Sequence, residues 1–375
     1  MSLPRPMRFF YVLDVLFLAM LMCFSFPLKA QPSQALLDRA LAGDANAQYQ
    51  VGHNYYYGGQ SNYIEAVKWF TLAAEQGNID AMNELGNMAR YGDGTKSGGR
   101  DYKEAIKWFE KAGKLGHKKA QAALGGIYEA GLGTGKNFPE AAKWYRMAAE
   151  QDHAPASYTL AIMFQEGKGI EKNLAEAAKW MKRSAGLGYE NAQEDLAKMY
   201  LNGIGVKQNY AEAFKWFETV GDQRPQTAYQ LGLMLEKGMG VSSNERNAFA
   251  WYRKSAAQGY PDALKHIRTE AEKGSAAAQN CYGLMYALAQ GVERNHKEAV
   301  KWYSLAAGQN NRDAQYNLCV MYVRGLGVEV NIEKAAELCK KAADQGSEDA
   351  RKRLERILAP GPGSSDRTDQ TPNAE

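Results

Sequence analysis

Apolar residues recur along this chain at helical spacing, and the pattern itself recurs. In the stretch Glu140 to Asp152, EAAKWYRMAAEQD, Ala141, Trp144, Tyr145, Ala148 and Ala149 share one face while Lys143 and Arg146 lie between them. This spacing predicts an amphipathic helix with one wide apolar stripe. All seven tryptophans sit at one position in close copies of that stretch: Trp69, Trp108, Trp144, Trp180, Trp216, Trp251 and Trp302 are 39, 36, 36, 36, 35 and 51 residues apart. One further step of 36 residues reaches Leu338 in KAAELCKKAADQG. A period in the mid-thirties predicts an all-α solenoid of about eight stacked two-helix units.

The first helix of each unit follows the pattern Ala-x-x-x-Leu-Gly-x-x-Tyr, as in Ala120 to Tyr128, Ala192 to Tyr200 and Ala314 to Tyr322. Glycine turns such as Gly131-Leu132-Gly133, Gly203-Ile204-Gly205 and Gly325-Leu326-Gly327 then supply the positive φ that ends a helix and begins a reversal. The Trp-bearing helix comes next. Six of these open with capping-box spacing, Asn62/Glu65, Asp101/Glu104, Asn137/Glu140, Asn173/Glu176, Asn209/Glu212 and Asn295/Glu298, while Asn247 and Lys334 take the Glu place in two others. No strand pattern of any length occurs, so the Gly-x-Gly turns are not a dinucleotide fingerprint, which needs a preceding strand.

In chain order, residues 1–30 have the form of an export signal. Arg5 and Arg8 form a basic start, Val15 to Phe26 an apolar run and Leu28-Lys29-Ala30 a small-residue exit. An uncleaved anchor is the alternative, opposed by Asp14 within the longer apolar segment. Residues 31–43 are expected to cap the array with one helix, and 44–259 to hold units one to six. A first helix that runs straight into a second-helix tail, YPDALKHIRTEAEKG, fills 260–274 and is expected to form one helix in place of two, with a hinge or change of superhelix direction there. Units seven and eight occupy 275–346, a polar capping helix 347–358, and a Pro/Gly/Ser-rich tail 359–375, expected to be disordered.

Charge changes this picture little. The net charge of +4 falls to about +2 once Arg5, Arg8, Lys29 and Asp14 leave with the leader, and no basic stripe suits nucleic acid. Arg351, Lys352, Arg353 and Arg356 suit a solvated cap, with an acidic-lipid site as the alternative. Of four cysteines, Cys281, Cys319 and Cys339 would remain after export, at no metal-ligand spacing. Cys319 takes a small-residue position of the first helix and Cys339 the aromatic position after the missing Trp. They are expected to be packed free thiols or, in an oxidising compartment, a disulfide.

Ala-x-x-x-Leu-Gly-x-x-Tyr, Gly-x-Gly, then Ala-x-x-Trp-Tyr/Phe-x-x-Ala-Ala in units of about 36 residues resembles the Sel1-like repeat, a relative of the tetratricopeptide repeat. The resemblance runs from Gly43 to about Leu358. It implies a right-handed α-solenoid that binds other proteins, needs no cofactor and has no chemistry of its own. Exported bacterial members similar to this one in layout include virulence-associated factors in host-cell entry or vacuole traffic, and envelope scaffolds or negative regulators of envelope sensors or secretion complexes. A periplasmic or secreted monomer is the corresponding expectation.

Counted from the repeat's Ala as zero, first-helix positions +2 and +6 lie opposite the framework and are expected to line the concave surface. They carry Tyr49, Tyr158, Tyr229 and Tyr316 at +2, and His53, Ile162, Leu233, Leu284 and Val320 at +6. Either neighbouring first helices bury these side chains against each other, or they anchor a peptide segment or helix in a groove.

An enzyme of β-lactamase type is the reading of another class. No Ser-x-x-Lys, Gly-x-Ser-x-Gly or His-Glu-x-x-His occurs. His117 and His153 begin first helices, where capping is the usual role, and the remaining histidines have no carboxylate or cysteine at ligand spacing along the chain.

Overall fold

The computed structural model describes residues 32–58, 61–94 and 98–359. The leader expected at 1–30, most of the tail expected at 359–375, and Thr95, Lys96 and Ser97 of the long loop lie outside them. The described chain is all-α, with nineteen α-helices, one short 3-10 turn and no strand. It divides between Asn173 and Leu174 into two compact units. The first contains α1 (Gln34–Leu41), α2 (Ala45–Tyr57), α3 (Tyr63–Glu75), α4 (Ile79–Tyr91), α5 (Tyr102–Lys114), α6 (Lys118–Ala130), α7 (Phe138–Glu150) and α8 (Ala154–Glu166). The second contains α9 (Leu174–Gly186), α10 (Glu190–Asn202), α11 (Tyr210–Val220), α12 (Pro225–Lys237), α13 (Glu245–Ala257), α14 (Pro261–Lys273), α15 (Ala276–Leu288), α16 (His296–Gly308), α17 (Arg312–Arg324), α18 (Ile332–Asp344) and α19 (Glu348–Leu358). Within each unit successive helices pack side by side as a solenoid.

In five repeats the seam is a contact between a first-helix glycine and the aromatic that comes after Trp, while Ala161 and Ala197 stand at the glycine position in two others. A Cβ added at Gly52, Gly86, Gly125, Gly232 or Gly283 would lie 2.5–2.8 Å from the ring of Phe70, Phe109, Tyr145, Tyr252 or Tyr303 respectively. The bare glycine face therefore lets the ring lie flat on the helix. In five repeats this residue, not the tryptophan, goes deepest: Phe70, Phe109, Phe217, Tyr252 and Tyr303 are fully enclosed, while Trp69, Trp108, Trp216, Trp251 and Trp302 are half-buried. Only Trp144 and Trp180 are buried.

In the last repeat the same contact is made by sulfur. Cys319 replaces the glycine and Cys339 the aromatic, and the two form a disulfide with Cα atoms 5.6 Å apart. Of the two states left open by the sequence, the bonded one is found, because the seam brings these two positions together in repeat after repeat.

Turns and caps have separate physical origins for each recurring residue type. Gly203 ends α10 in the left-handed region at φ 70°, where a Cβ is disfavoured. Gly205, two residues on, is needed for space: a Cβ there would lie 2.0 Å from the Leu174 carbonyl oxygen. At the second helices, Asn62, Asp101, Asn137, Asn209 and Asn295 each accept from the backbone N–H three residues on, at 3.0–3.1 Å. Asn244 and Asn331 do the same above Asn247 and Lys334, since the bond needs only the backbone. The expected return contact from Glu is not what satisfies the cap N–H. It donates instead to a first-helix carbonyl, as from Asn137 to Tyr128 at 2.9 Å and from Asn209 to Tyr200 at 2.9 Å. The Glu side chains are free to pair with Lys three residues on, as Glu140 does with Lys143 at 3.1 Å.

Buried glutamines tie helix ends together. Gln151 donates to Gln121 at 2.7 Å, Gln309 to Gln279 at 2.7 Å and Gln345 to Gln315 at 2.8 Å. Each inner glutamine is thereby satisfied away from water.

The interruption at Tyr260 to Gly274 forms the single helix α14, closed by Gly274 at φ 104°. The expected hinge is not where the chain divides. Ala263, Ile267 and Ala271 join Phe249, Tyr252, Ala278, Tyr282 and Met285 in one continuous core. As a result α13 packs against both α14 and α15, where a regular second helix meets one successor.

Candidate protein-binding face

The nine side chains expected on the first-helix face are not equally wet. His53 is exposed, and Tyr49, Tyr158, Ile162, Tyr229, Leu233 and Tyr316 are half-buried. Leu284 and Val320 correct the expectation of an open groove wall, being only 8% and 2% exposed. The reason is lateral packing of neighbouring first helices: Asn317 on α17 donates to Asn280 on α15 at 3.0 Å, and Leu284 joins the core of the last two repeats.

In the first unit, Tyr49 and His53 belong to an aromatic run along α2. Their ring centroids are 6.1 Å apart, and His53 lies 4.5 Å from Tyr57. Tyr57 donates to Glu84 at 3.1 Å, and burial together with Glu84 pushes its phenol up to about 12. Burial, then Glu84 and Asp80, likewise holds Tyr49 above its usual range, so these phenols stay neutral donors. Tyr158 and Ile162 lie one helical turn apart on α8.

In the second unit, Tyr229 meets Tyr252 and Tyr260, each at 5.4 Å between centroids. Its phenol is raised by burial, then by Asp262, Tyr260 and Glu236. Beneath it, Glu236 accepts from the Tyr252 hydroxyl at 2.8 Å and lies 3.2 Å from His266 Nε2. This carboxylate beside a histidine was missed in the sequence, because the partners are 30 residues apart and meet only through stacking. The trio ties α12, α13 and α14 together and contains no nucleophile. His117 and His153 do cap their helices, each Nδ1 accepting from the backbone N–H three residues on, at 3.1 and 3.2 Å.

Leu284 and Tyr316 converge on a cleft of about 560 Å³ built by α13, α15, α17 and the start of α19. Arg253 lines it and is only 6% exposed, although it occupies the outer side of a second helix. It donates to the side-chain oxygen of Gln290. Nothing in the local pattern singles Arg253 out, since of its counterparts two residues after Trp, Arg146, Lys182, Glu218 and Ser304 are exposed and Thr71 and Glu110 half-buried. Contact of α15 with α13, made across the inserted α14, covers it. The neighbouring Cys281 is a buried free thiol that donates to the Phe249 carbonyl at 3.3 Å. Burial, against the pull of Arg253, pushes it up to about 12, so it is an inert packed thiol. Among the described residues no group of three or more His, Cys, Asp or Glu is placed to hold a metal ion, and no helix is long and apolar enough to cross a membrane.

The Sel1 repeat family model matches eight segments, residues 45–78, 79–117, 118–153, 154–189, 191–219, 225–260, 276–311 and 312–347. Residues 261–275, which contain α14, fall between two matches. Among solved structures, a Sel1 repeat protein from Oxalobacter formigenes is 28% identical, with 86% of this chain and 90% of that one covered and a TM-score of 0.51. A protective antigen present in uropathogenic Escherichia coli strains and displaying an SLR fold is 31% identical over 86% of this chain and 82% of its own, with a TM-score of 0.41. None of the curated proteins compared with the chain matches it.

Proposed function

The chain belongs to the Sel1 repeat family, and from that membership we propose that it is an exported, non-catalytic adaptor that binds partner proteins on the first-helix face of its repeats. The observation that carries this reading is the contrast between seam and face. The seam keeps a small first-helix residue, glycine on an aromatic ring in five repeats, whereas the face changes residue from repeat to repeat and opens into a cleft at Tyr316. A constant framework under a variable, aromatic-rich face is what binding through shape and a few anchors requires.

Export rests on the leader pattern at residues 1–30 and agrees with the Cys319 to Cys339 disulfide, a bond at home in oxidising compartments. Two destinations are open to an exported chain: release toward a host cell, with a part in entry or vacuole traffic, or retention in the periplasm as a scaffold or regulator of an envelope complex. Amino-terminal sequencing of the exported protein is expected to begin at Gln31. Affinity capture with residues 31–375 from bacterial envelope and from eukaryotic lysate, beside a Tyr158→Ala/Tyr229→Ala double mutant, tests site and destination together. Partners lost with the mutant support the face, and the extract that yields them chooses the destination. Partners kept by a folded double mutant would move binding off these two anchors. Truncating one anchor should cost about 2 kcal/mol of binding.

A further inference from the structure

We infer that the aromatic face of the first two repeats binds a basic segment of a partner polypeptide, seating an arginine or lysine side chain between Tyr57, Tyr91 and the Glu84 carboxylate. This rests on the adaptor reading above and names the chemistry of its partner. Tyr57 and Tyr91 end α2 and α4 at first-helix position +10, and they are the two most exposed tyrosines among the described residues, at 59% and 55%. No other repeat has an aromatic residue there, Ala130 and Glu166 being the next two along the chain. His53 continues the row inward from Tyr57 and is exposed as well. Open rings on neighbouring helices offer large contact area at little cost in side-chain entropy, and their faces attract cations.

A carboxylate lies beside these rings. Glu84 on α4 accepts from the Tyr57 hydroxyl at 3.1 Å and from the buried Asn83 amide at 3.2 Å, both neutral donors. Among the described residues no lysine, arginine or histidine pairs with it. The field at the rings is accordingly negative. Burial, then Glu84 and Asp80, raises the Tyr49 phenol, and burial, then Glu84, Tyr49 and Tyr91, raises that of Tyr57.

Few cations of the protein compete for this place. Helix α2 contains no lysine or arginine, and α4 contains only Arg90. Arg90 lies 5.4 Å from the Tyr91 ring and acts on the Tyr145 phenol of the third repeat, while Tyr49 and Tyr57 respond to acids and phenols alone. Asp80 is already engaged by His117 at 3.2 Å, so Glu84 is the carboxylate left without a counter-charge. A guanidinium stacks on aromatic faces and forks onto a carboxylate, and so meets rings and acid together; an ammonium meets them as a point charge. A neutral segment would leave Glu84 uncompensated, and an acidic one would be repelled.

The test uses arrayed ten-residue peptides of randomised sequence with two central arginines, each paired with a copy in which citrulline, a neutral analogue of the same shape, replaces arginine. Both are probed with the whole exported chain. Arginine forms should bind at least about tenfold better than citrulline forms, the scale of one charge-assisted contact. Glu84→Gln, which still accepts from Tyr57, should abolish that preference. Tyr57→Leu and Tyr91→Leu should each weaken arginine-peptide binding about threefold, the scale of one exposed cation–ring contact. Tyr316→Leu in the second unit should leave it unchanged. Thermal melts confirm that each variant is folded. Equal binding of the two forms, a preference that survives Glu84→Gln, or ring variants that bind as the wild type does would each overturn the inference. A set with no arginine binder would also overturn it. The capture experiment at Tyr158 and Tyr229 would still judge the adaptor reading separately.

Discussion

Arg146 and Arg253 occupy the same place in the repeat, two residues after Trp, one in each unit of the molecule. Arg146 is exposed on α7, its guanidinium 5.5 Å from the ring of Phe164. Arg253 is 6% exposed and forms part of a cleft. The local sequences are nearly alike, KWYRM and AWYRK. The difference lies in the helices that come next along the chain: α7 is succeeded by one first helix, whereas α13 is covered by both α14 and α15. An interruption in the period thus turns an outer surface position into a wall of a cleft. It does so without breaking the core, since Ile267 of α14 is fully buried between repeats six and seven.

The largest test of this comparison is to loosen the interruption itself. Ile267→Ala should destabilise the second unit by about 3 kcal/mol, the cost of a cavity that α13 and α15 cannot fill. It should also raise the solvent accessibility of position 253, read by labelling a cysteine placed there in a background lacking the free Cys281. Position 146, treated the same way, should remain accessible in both backgrounds. Next in size is the disulfide. Reduction, or Cys339→Ala, should cost the second unit about 2–4 kcal/mol and leave the melting of the first unchanged, because both sulfurs lie in the last repeat.

Smaller and opposite in sign is Arg253→Met. Replacing a buried, unneutralised charge by an apolar chain should be neutral or stabilising by about 1 kcal/mol. Arg146→Met should change stability by less than about 0.5 kcal/mol. A strong loss at Arg253 would mean that the guanidinium already has its counter-charge. The smallest effect sharpens the contrast from the side of the first unit. Burial, then Lys118 and Lys119, lowers the proton affinity of His153, whose Nδ1 accepts the capping bond only when unprotonated. The unfolded chain therefore binds the proton more readily than the folded one. The contribution is fully present above about pH 6.5 and is lost as pH falls through the lowered folded value. Melts of the wild type and of His153→Asn, which caps without titrating, should converge near neutrality and separate below it, with the wild type the less stable.

Most of the fold was legible because period, turn glycines and cap residues each have one local physical cause. Gly203 and Asn209 act on their own backbone neighbourhood, so spacing alone reveals them. The special place of Cys319 and Cys339 was legible for the same reason, since both occupy repeat positions whose side chains meet elsewhere in the chain. Features that need stacked repeats were not. Phe217 and Tyr252 go deeper than the tryptophans beside them because the facing helix is bare at glycine or alanine. Glu236 finds His266 thirty residues away, and the Gln121 to Gln151 pair spans the same interval. The face was legible as a register but not as a wet surface. His53 and Val320 share position +6, yet one is exposed and the other buried, a difference that no window of sequence around either residue contains.

Site-specific photo-cross-linking in the organism that makes the protein measures the central claim most directly. A benzophenone amino acid would replace, one at a time, Tyr316 in the cleft, Tyr229 on the same face and exposed Lys182 on the outer side of α9. The adaptor reading predicts discrete protein adducts from Tyr316 and Tyr229 and none from Lys182. Adducts from Lys182 alone, with both face positions silent in folded protein, would contradict it.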